Sequence, residues 1–262
     1  MVIACIKKEG SNMKKYLLIL SILGLNVFGV METEFDVTTE HALAEFAQVA
    51  YSTLPTLYNT YSLASECIKN NIPGDFVECG VAAGAQIGAM AYACKHHGSS
   101  KKIHLFDSFQ GIPLACKFDT QQPGIGAITH SVDVQHLDDL LVSSGITVHS
   151  MENVQLNMAR WNIPAECLVF YKGWFQNTLP LRAHEISTIS FLRLDGDLYE
   201  STKVCLEYLY PKISKGGYIV IDDYGSLDGC KKAVDEYLTL HNITPNIVQV
   251  PNGLGPVYWQ VN

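Results

Sequence analysis

Three stretches concentrate the side chains able to do chemistry. "ISFLRLDGDLYEST" (189–202) carries an apolar run into Arg193, Asp195, Asp197 and Glu200, and "GGYIVIDDYG" (216–225) ends another in Asp222 and Asp223. "VECGVAAGAQIG" (77–88) sets Glu78, Gly80 and Gly84 in an acid-x-Gly-x-x-x-Gly spacing. Carboxylates are costly to desolvate unless a cation or a hydrogen-bond donor meets them, so acids at the tips of apolar runs call for a partner. If two of those runs are neighbouring strands, Asp195, Asp222 and Asp223 converge. Three oxygen ligands without histidine or thiolate suit a hard cation, Mg²⁺ first among them. The competing reading neutralises the same acids with Arg193, Lys203 and Lys215. Asp197 and Glu200 read equally as contacts to metal or substrate and as acids at the positive end of a helix.

The glycine turn has its own logic. Glycines let backbone approach a ligand closely, and a helix opening there offers free N–H groups. The spacing is not the dinucleotide fingerprint G-x-G-x-x-G. Glu78 ahead of the first glycine would repel a pyrophosphate and suits a ligand bearing ammonium and sulfonium charge. Asp107 follows Gly84 by 107 − 84 = 23 residues, the place where an acid holds a ribose diol. Its structural alternative is an N-cap or an Asx-turn made by Asp107 or Ser108.

These residues need strand tips to position them, and the pattern supplies them. Residues 41–54 and 56–70 are expected as helices, with apolar residues at three-and-four spacing. Then strands and helices alternate: strand 76–80, helix 85–98, strand 102–109, helix 132–145, strand 167–175, strand 189–195, helix 201–213, strand 216–224 and helix 230–242. Residues 246–261 close as a hairpin about Asn252-Gly253. The fold class expected is α/β: a doubly wound, mostly parallel Rossmann-like sheet with an antiparallel C-terminal edge hairpin and an N-terminal helical extension. The expected organisation is a leader over 1–35, a helical cap over 36–72 and a core over 73–262. In such sheets ligands bind beyond the carboxyl ends of the strands, where every acidic cluster above falls.

Composition narrows the partners. With 26 acidic and 18 basic residues the net charge is −8, which argues against nucleic acid. The eight cysteines show no metal-like spacing and are expected as reduced core residues. "MKKYLLILSILGLNVFGV" (13–30) reads either as the n- and h-regions of a signal peptide or as an apolar helix packed on the domain or a second subunit. A cytoplasmic homo-oligomer is expected, with membrane contact through this segment; export is the alternative.

Six blocks, "GDFVECGVAAG", "HLFDSFQGIP", "YKGWFQNTLP", "LRLDGDLYEST", "GGYIVIDDYG" and "VYWQV", in order from residue 73 to 259, resemble the macrocin O-methyltransferase (TylF/MycF) family. The resemblance implies a Rossmann-like methyltransferase using S-adenosylmethionine and Mg²⁺ on a small hydroxylated acceptor, most simply a vicinal diol of a sugar or natural product. It implies that Asp195, Asp222 and Asp223 hold the metal, with Asp195 also taking the hydroxyl proton. It places Glu78, Gly80, Val81, Ala82, Gly84, Asp107 and Ser108 at the cofactor, joined by Ser131, Gly173 and Trp174. The main rival is a metal-dependent glycosyltransferase using Asp195-Gly196-Asp197 as a D-x-D motif. A second is a non-catalytic exported binding protein of the same fold.

Overall fold

The computed structural model describes residues 36–119, 141–253 and 255–262. Helix α1 (Val37–Phe46) starts at Asp36, whose carboxylate accepts from the Thr38 and Thr39 amides at 2.9 Å and satisfies donors that the first turn leaves free. Helix α2 (Leu54–Lys69) follows, and strand β1 (Asp75–Cys79) leads into α3 (Ala85–His96). Then come β2 (Ile103–Asp107), α4 (Met151–Arg160), β3 (Leu168–Lys172), α5 (Phe175–Arg182), β4 (Ile189–Leu194), α6 (Tyr199–Leu209), β5 (Ile213–Ile221) and α7 (Asp228–Leu240). Strands β6 (Val248–Gln249) and β7 (Val257–Gln260) finish the chain.

The seven strands form one sheet in the order β3-β2-β1-β4-β5-β7-β6. The first five pair in parallel, while β7 runs antiparallel to both β5 and β6. This is the doubly wound sheet with an antiparallel edge hairpin that the alternation predicts. All six residues of β4 are buried, as expected for a strand covered on both faces. Val77, Leu192, Ile219 and Trp259 from the strands pack with Leu179 of α5, Leu206 and Leu209 of α6 and Val234 of α7 into one core. The order in which successive strands are added reverses between β1 and β4, so the crevice lies at their carboxyl ends.

Several boundaries differ from the sequence reading. The helix expected over 132–145 falls mostly outside the described residues. Its last five positions, 141–145, are not helical: Ser143 bridges Pro113, and the Ser144 amide donates to the Ile112 carbonyl at 2.8 Å. The Ser144 hydroxyl also donates to the Ile112 carbonyl at 2.8 Å, the local competition by which serine opposes helix. Helices α4 and α5 were not expected. In α4 only Val154 and Met158 are buried, too thin a stripe to read as periodicity. The strand expected over 167–175 stops at Lys172, and Phe175 opens α5 instead. The first helix ends at Phe46, eight residues short of 54 (54 − 46 = 8). The seven cysteines among the described residues are free, five of them buried.

Trp259 is 1% exposed, and its indole N–H donates to the Tyr210 hydroxyl at 3.4 Å. Trp259→Ala is expected to cost about 3–5 kcal/mol through the cavity it leaves. Urea denaturation measures this; a loss under about 1 kcal/mol would contradict the core assignment.

Candidate functional site

The turn after β1 is shaped by close approach. Gly80 has φ +88°, and a Cβ built on it would lie 1.7 Å from the Asp195 carbonyl oxygen. Only glycine lets the β1 turn and the end of β4 meet this way. The Asp195 amide donates to the Cys79 carbonyl at 2.8 Å, stitching the two tips together. Ala82 follows at φ +46°, a left-handed conformation costly for a residue with a Cβ. Gly84, at φ +90°, opens α3 with Val154 and Met158 of α4 against it.

Asp107, at the tip of β2, accepts from the Val81 and Ala82 amides at 2.7 and 3.2 Å through Oδ2 and from the Phe109 amide at 2.6 Å through Oδ1. The Asx-turn alternative is therefore realised, and the same carboxylate also braces the glycine turn. Burial raises its pKa while those amides lower it. Ser108 is buried, and its hydroxyl donates to the Gly111 carbonyl at 2.9 Å. The Gly173 amide donates to the Asp107 carbonyl at 2.9 Å, so the end of β3 is fastened to the end of β2. Trp174 caps α5 and faces the same space.

The acids at β4 and β5 are organised by one arginine. Arg193 lies opposite Glu78 on β1 and Val220 on β5. Side chains alternate along a strand, so Asp195 and Asp222, each two residues further on, fall on Arg193's face. Arg193 is fully buried; its Nη1 donates to Asp195 Oδ2 at 2.6 Å and Glu78 Oε1 at 3.2 Å, and its Nη2 donates to Asp222 Oδ1. Burial opposes its charge, but Asp222, Asp195 and Glu78 hold its pKa above the ordinary value. Burial pushes Glu78 well up against the pull of Arg193, and raises Asp222 to about 7. Glu78 Oε2 and Arg193 Nε are buried without a hydrogen-bond partner among the described residues.

A second acidic group adjoins this one. Asp195, Asp197 and Asp223 each offer a carboxylate oxygen within 4.8 Å of the others. Asp197 has φ +59°, and its amide donates to Asp223 Oδ2 at 3.1 Å. Burial, then the neighbouring acids, push both of these carboxyls well above their usual range. So the sequence-predicted trio is not the one whose oxygens converge. Asp222 is turned to Arg193, and Asp197 stands in its place.

A cleft of about 120 Å³, smaller than the usual small-molecule site, lies at the carboxyl ends of β1, β2 and β4. Of the sequence-predicted residues, Gly80, Ala82, Asp107, Ser108, Trp174 and Asp195 line it. Glu78, Val81, Gly84, Gly173, Asp222 and Asp223 stand outside that lining and support it. Ser131 lies outside the described residues. Sequence reasoning missed Tyr51, Thr147, Gln176 and Ser201, which also line the cleft. Tyr51 sits between α1 and α2, its hydroxyl 2.9 Å from His149 Nε2, and nothing in its local sequence signals that role.

Comparison with known proteins bears on family and fold. The family model for macrocin O-methyltransferases matches residues 11–261. The chain is 37% identical over 205 residues to the demethyldecarbamoylnovobiocin O-methyltransferase of Streptomyces niveus, covering 78% of this chain and 72% of that protein. It is 33% identical over 208 residues to the 8-demethyl-8-(2,3-dimethoxy-alpha-L-rhamnosyl)-tetracenomycin-C 4'-O-methyltransferase of Streptomyces olivaceus, covering 79% and 73%. The solved structure of the O-methyltransferase NovP superposes with a TM-score of 0.66 at 34% identity, over 80% of each chain.

Two outcomes follow from the geometry. Gly80→Ala should destabilise the protein by about 2 kcal/mol or more, measured by urea denaturation; a change within about 0.5 kcal/mol would show that the β1 and β4 tips do not meet. Asp222, with a carboxyl raised from 3.8 to about 7, binds a proton in the folded metal-free protein that the unfolded chain releases. Its stabilising contribution is complete below about pH 4 and lost as pH rises through about 7. In EDTA, the Tm of the natural protein minus that of Asp222→Asn should fall across that window. A flat or rising difference would contradict the assignment.

Proposed function

Because the chain belongs to the macrocin O-methyltransferase family, and is therefore a methyltransferase, we propose that it methylates a hydroxyl of a small natural product or its sugar, using S-adenosylmethionine and a divalent cation such as Mg²⁺. One observation carries this reading: the glycine turn suited to a methyl donor and the acids suited to a metal are in direct contact, Gly80 against the Asp195 carbonyl. Donor and acceptor would thus meet in one cleft.

The residues fit the proposed cation. Among the described residues the ion pairs reaching these acids come from Arg193 alone, which leaves more acids than cationic partners around Asp195, Asp197 and Asp223. Carboxylate oxygens are the donors a hard cation takes. Asp195 and Asp223 belong both to the set implied by the family resemblance and to the set drawn together in space; Asp222 completes the first and Asp197 the second. When bound, such a cation makes a nearby hydroxyl more acidic, and the methyl donor brings an activated methyl with its own leaving group.

The chain's residues do the rest. Asp195 is anchored through Oδ2 on Arg193, and its side chain keeps 30% exposure toward the cleft, so its other oxygen can accept the acceptor hydroxyl's proton. The turn from Gly80 to Gly84, braced by Asp107, shapes the donor side, and Trp174 walls the cleft next to it. Most of the acceleration would come from holding the hydroxyl oxygen and the methyl carbon at contact distance. The relative named for 4'-O-methylation of a rhamnosyl-tetracenomycin supports a sugar hydroxyl as acceptor, a vicinal diol being the simplest form. We place the activity in the cytoplasm, where S-adenosylmethionine is made. No helix among the described residues is long and apolar enough to cross a membrane.

Calorimetry with S-adenosylhomocysteine and with UDP separates methyl transfer from glycosyl transfer: the first ligand should bind and the second should not. Asp195→Ala should lose methyl transfer by about 10³-fold, within the range for a positioned acid or base, while its affinity for S-adenosylhomocysteine stays within about 3-fold. Substantial residual turnover, or UDP binding alone, would overturn the reading.

A further inference from the structure

We propose that Arg193 is a positioning residue for the metal-binding acids: tied to Glu78 and Asp222, it holds Asp195 from behind so that its free oxygen faces a divalent cation; this rests on the metal reading above. An arginine with no exposure in the centre of a sheet is expensive. Replacing a buried charged group by well-packed apolar residues is commonly neutral or stabilising, so stability alone does not account for it. Its contacts do. It joins three strands, bonding Glu78 on β1, Asp195 just past β4 and Asp222 just past β5. Glu78 is 1% exposed and lies outside the cleft lining, so it serves as the fixed end of the clamp. Asp195 lines the cleft and keeps 30% of its side chain exposed, against 17% for Asp222, which lies outside that lining. A planar guanidinium with several donors can serve three carboxylates at once; a lysine ammonium is a single point charge without that fork.

Charge and position make opposite predictions here, which is what makes the idea testable. By charge alone, Arg193 repels a nearby cation, so removing it should tighten metal binding. As a partner that orients the ligands, its removal should weaken binding by about 10–100-fold. The probe is Mn²⁺ alone, titrated by electron paramagnetic resonance into the natural protein, Arg193→Gln and Arg193→Lys, with folding checked by circular dichroism. The expected result is a loss of at least about 10-fold in Mn²⁺ affinity for both variants. Tighter binding by Arg193→Gln, or unchanged binding by Arg193→Lys, would overturn the proposal. Absence of Mn²⁺ binding by the natural protein would instead defeat the metal reading, and this inference with it.

A measurement on the unmutated chain stands if the variants do not fold. The sequence contains three arginines, at 160, 182 and 193, so arginine-selective ¹⁵N spectra are readily assigned. The Arg193 guanidinium should give separate, non-averaged Nη–H signals both without and with Mg²⁺. Averaging of those signals on adding Mg²⁺ would show that the clamp opens when the ion binds, and would overturn the proposal.

Discussion

Arg193 donates to carboxylates from three strands while wholly removed from water, and the rest of the site is arranged around that contact. Taking an ion out of water costs several kcal/mol even after relaxation, and is repaid only by well-made hydrogen bonds to opposite charge. The parallel register supplies that geometry, since Glu78, Arg193 and Val220 are neighbours across β1, β4 and β5 and the pleat returns Asp195 and Asp222 to the same face two residues later. The cluster fixes where the carboxylates of β4 and β5 stand. It also fixes how closely the β1 turn can come to them.

The donor side of the cleft is built by a different device, backbone packed on backbone. Gly80 meets the Asp195 carbonyl, and Asp107 gathers the amides of Val81, Ala82 and Phe109. The non-glycine residues held at positive φ include Ala82 and Asp197, both on the cleft wall. Such strain persists only where surrounding structure over-determines it and tends to gather at functional sites. Here it lies on the two tips that would bring methyl donor and acceptor together.

Much of this was legible in the sequence because strand periodicity and glycine spacing are local signals. The succession of strands, the edge hairpin and the placement of acids at strand tips follow from the apolar pattern and its breaks. The partners of individual acids did not. Whether Asp222 meets a metal or Arg193 depends on a register between strands that lie far apart in sequence, and that register is set by tertiary packing. Asp107 lines the cleft, yet its bonds to the glycine turn could not be read from spacing. Helices α4 and α5 are short with few buried positions, so their periodicity is faint. Tyr51 reaches the cleft only because the chain breaks between α1 and α2, and no motif marks it.

On the function proposed above, one cleft would join the turn that takes the methyl donor to an acid group that holds a divalent ion, with Arg193 behind it. The most direct measurement is a crystal structure with S-adenosylhomocysteine and Mn²⁺, the ion located by its anomalous scattering. The account predicts an anomalous peak against Asp195 and Asp223, the thioether beside the turn that contains Gly80, and Arg193 still bonded to Glu78. A peak away from these acids, or the nucleoside bound outside the cleft between Gly80 and Asp107, would contradict it.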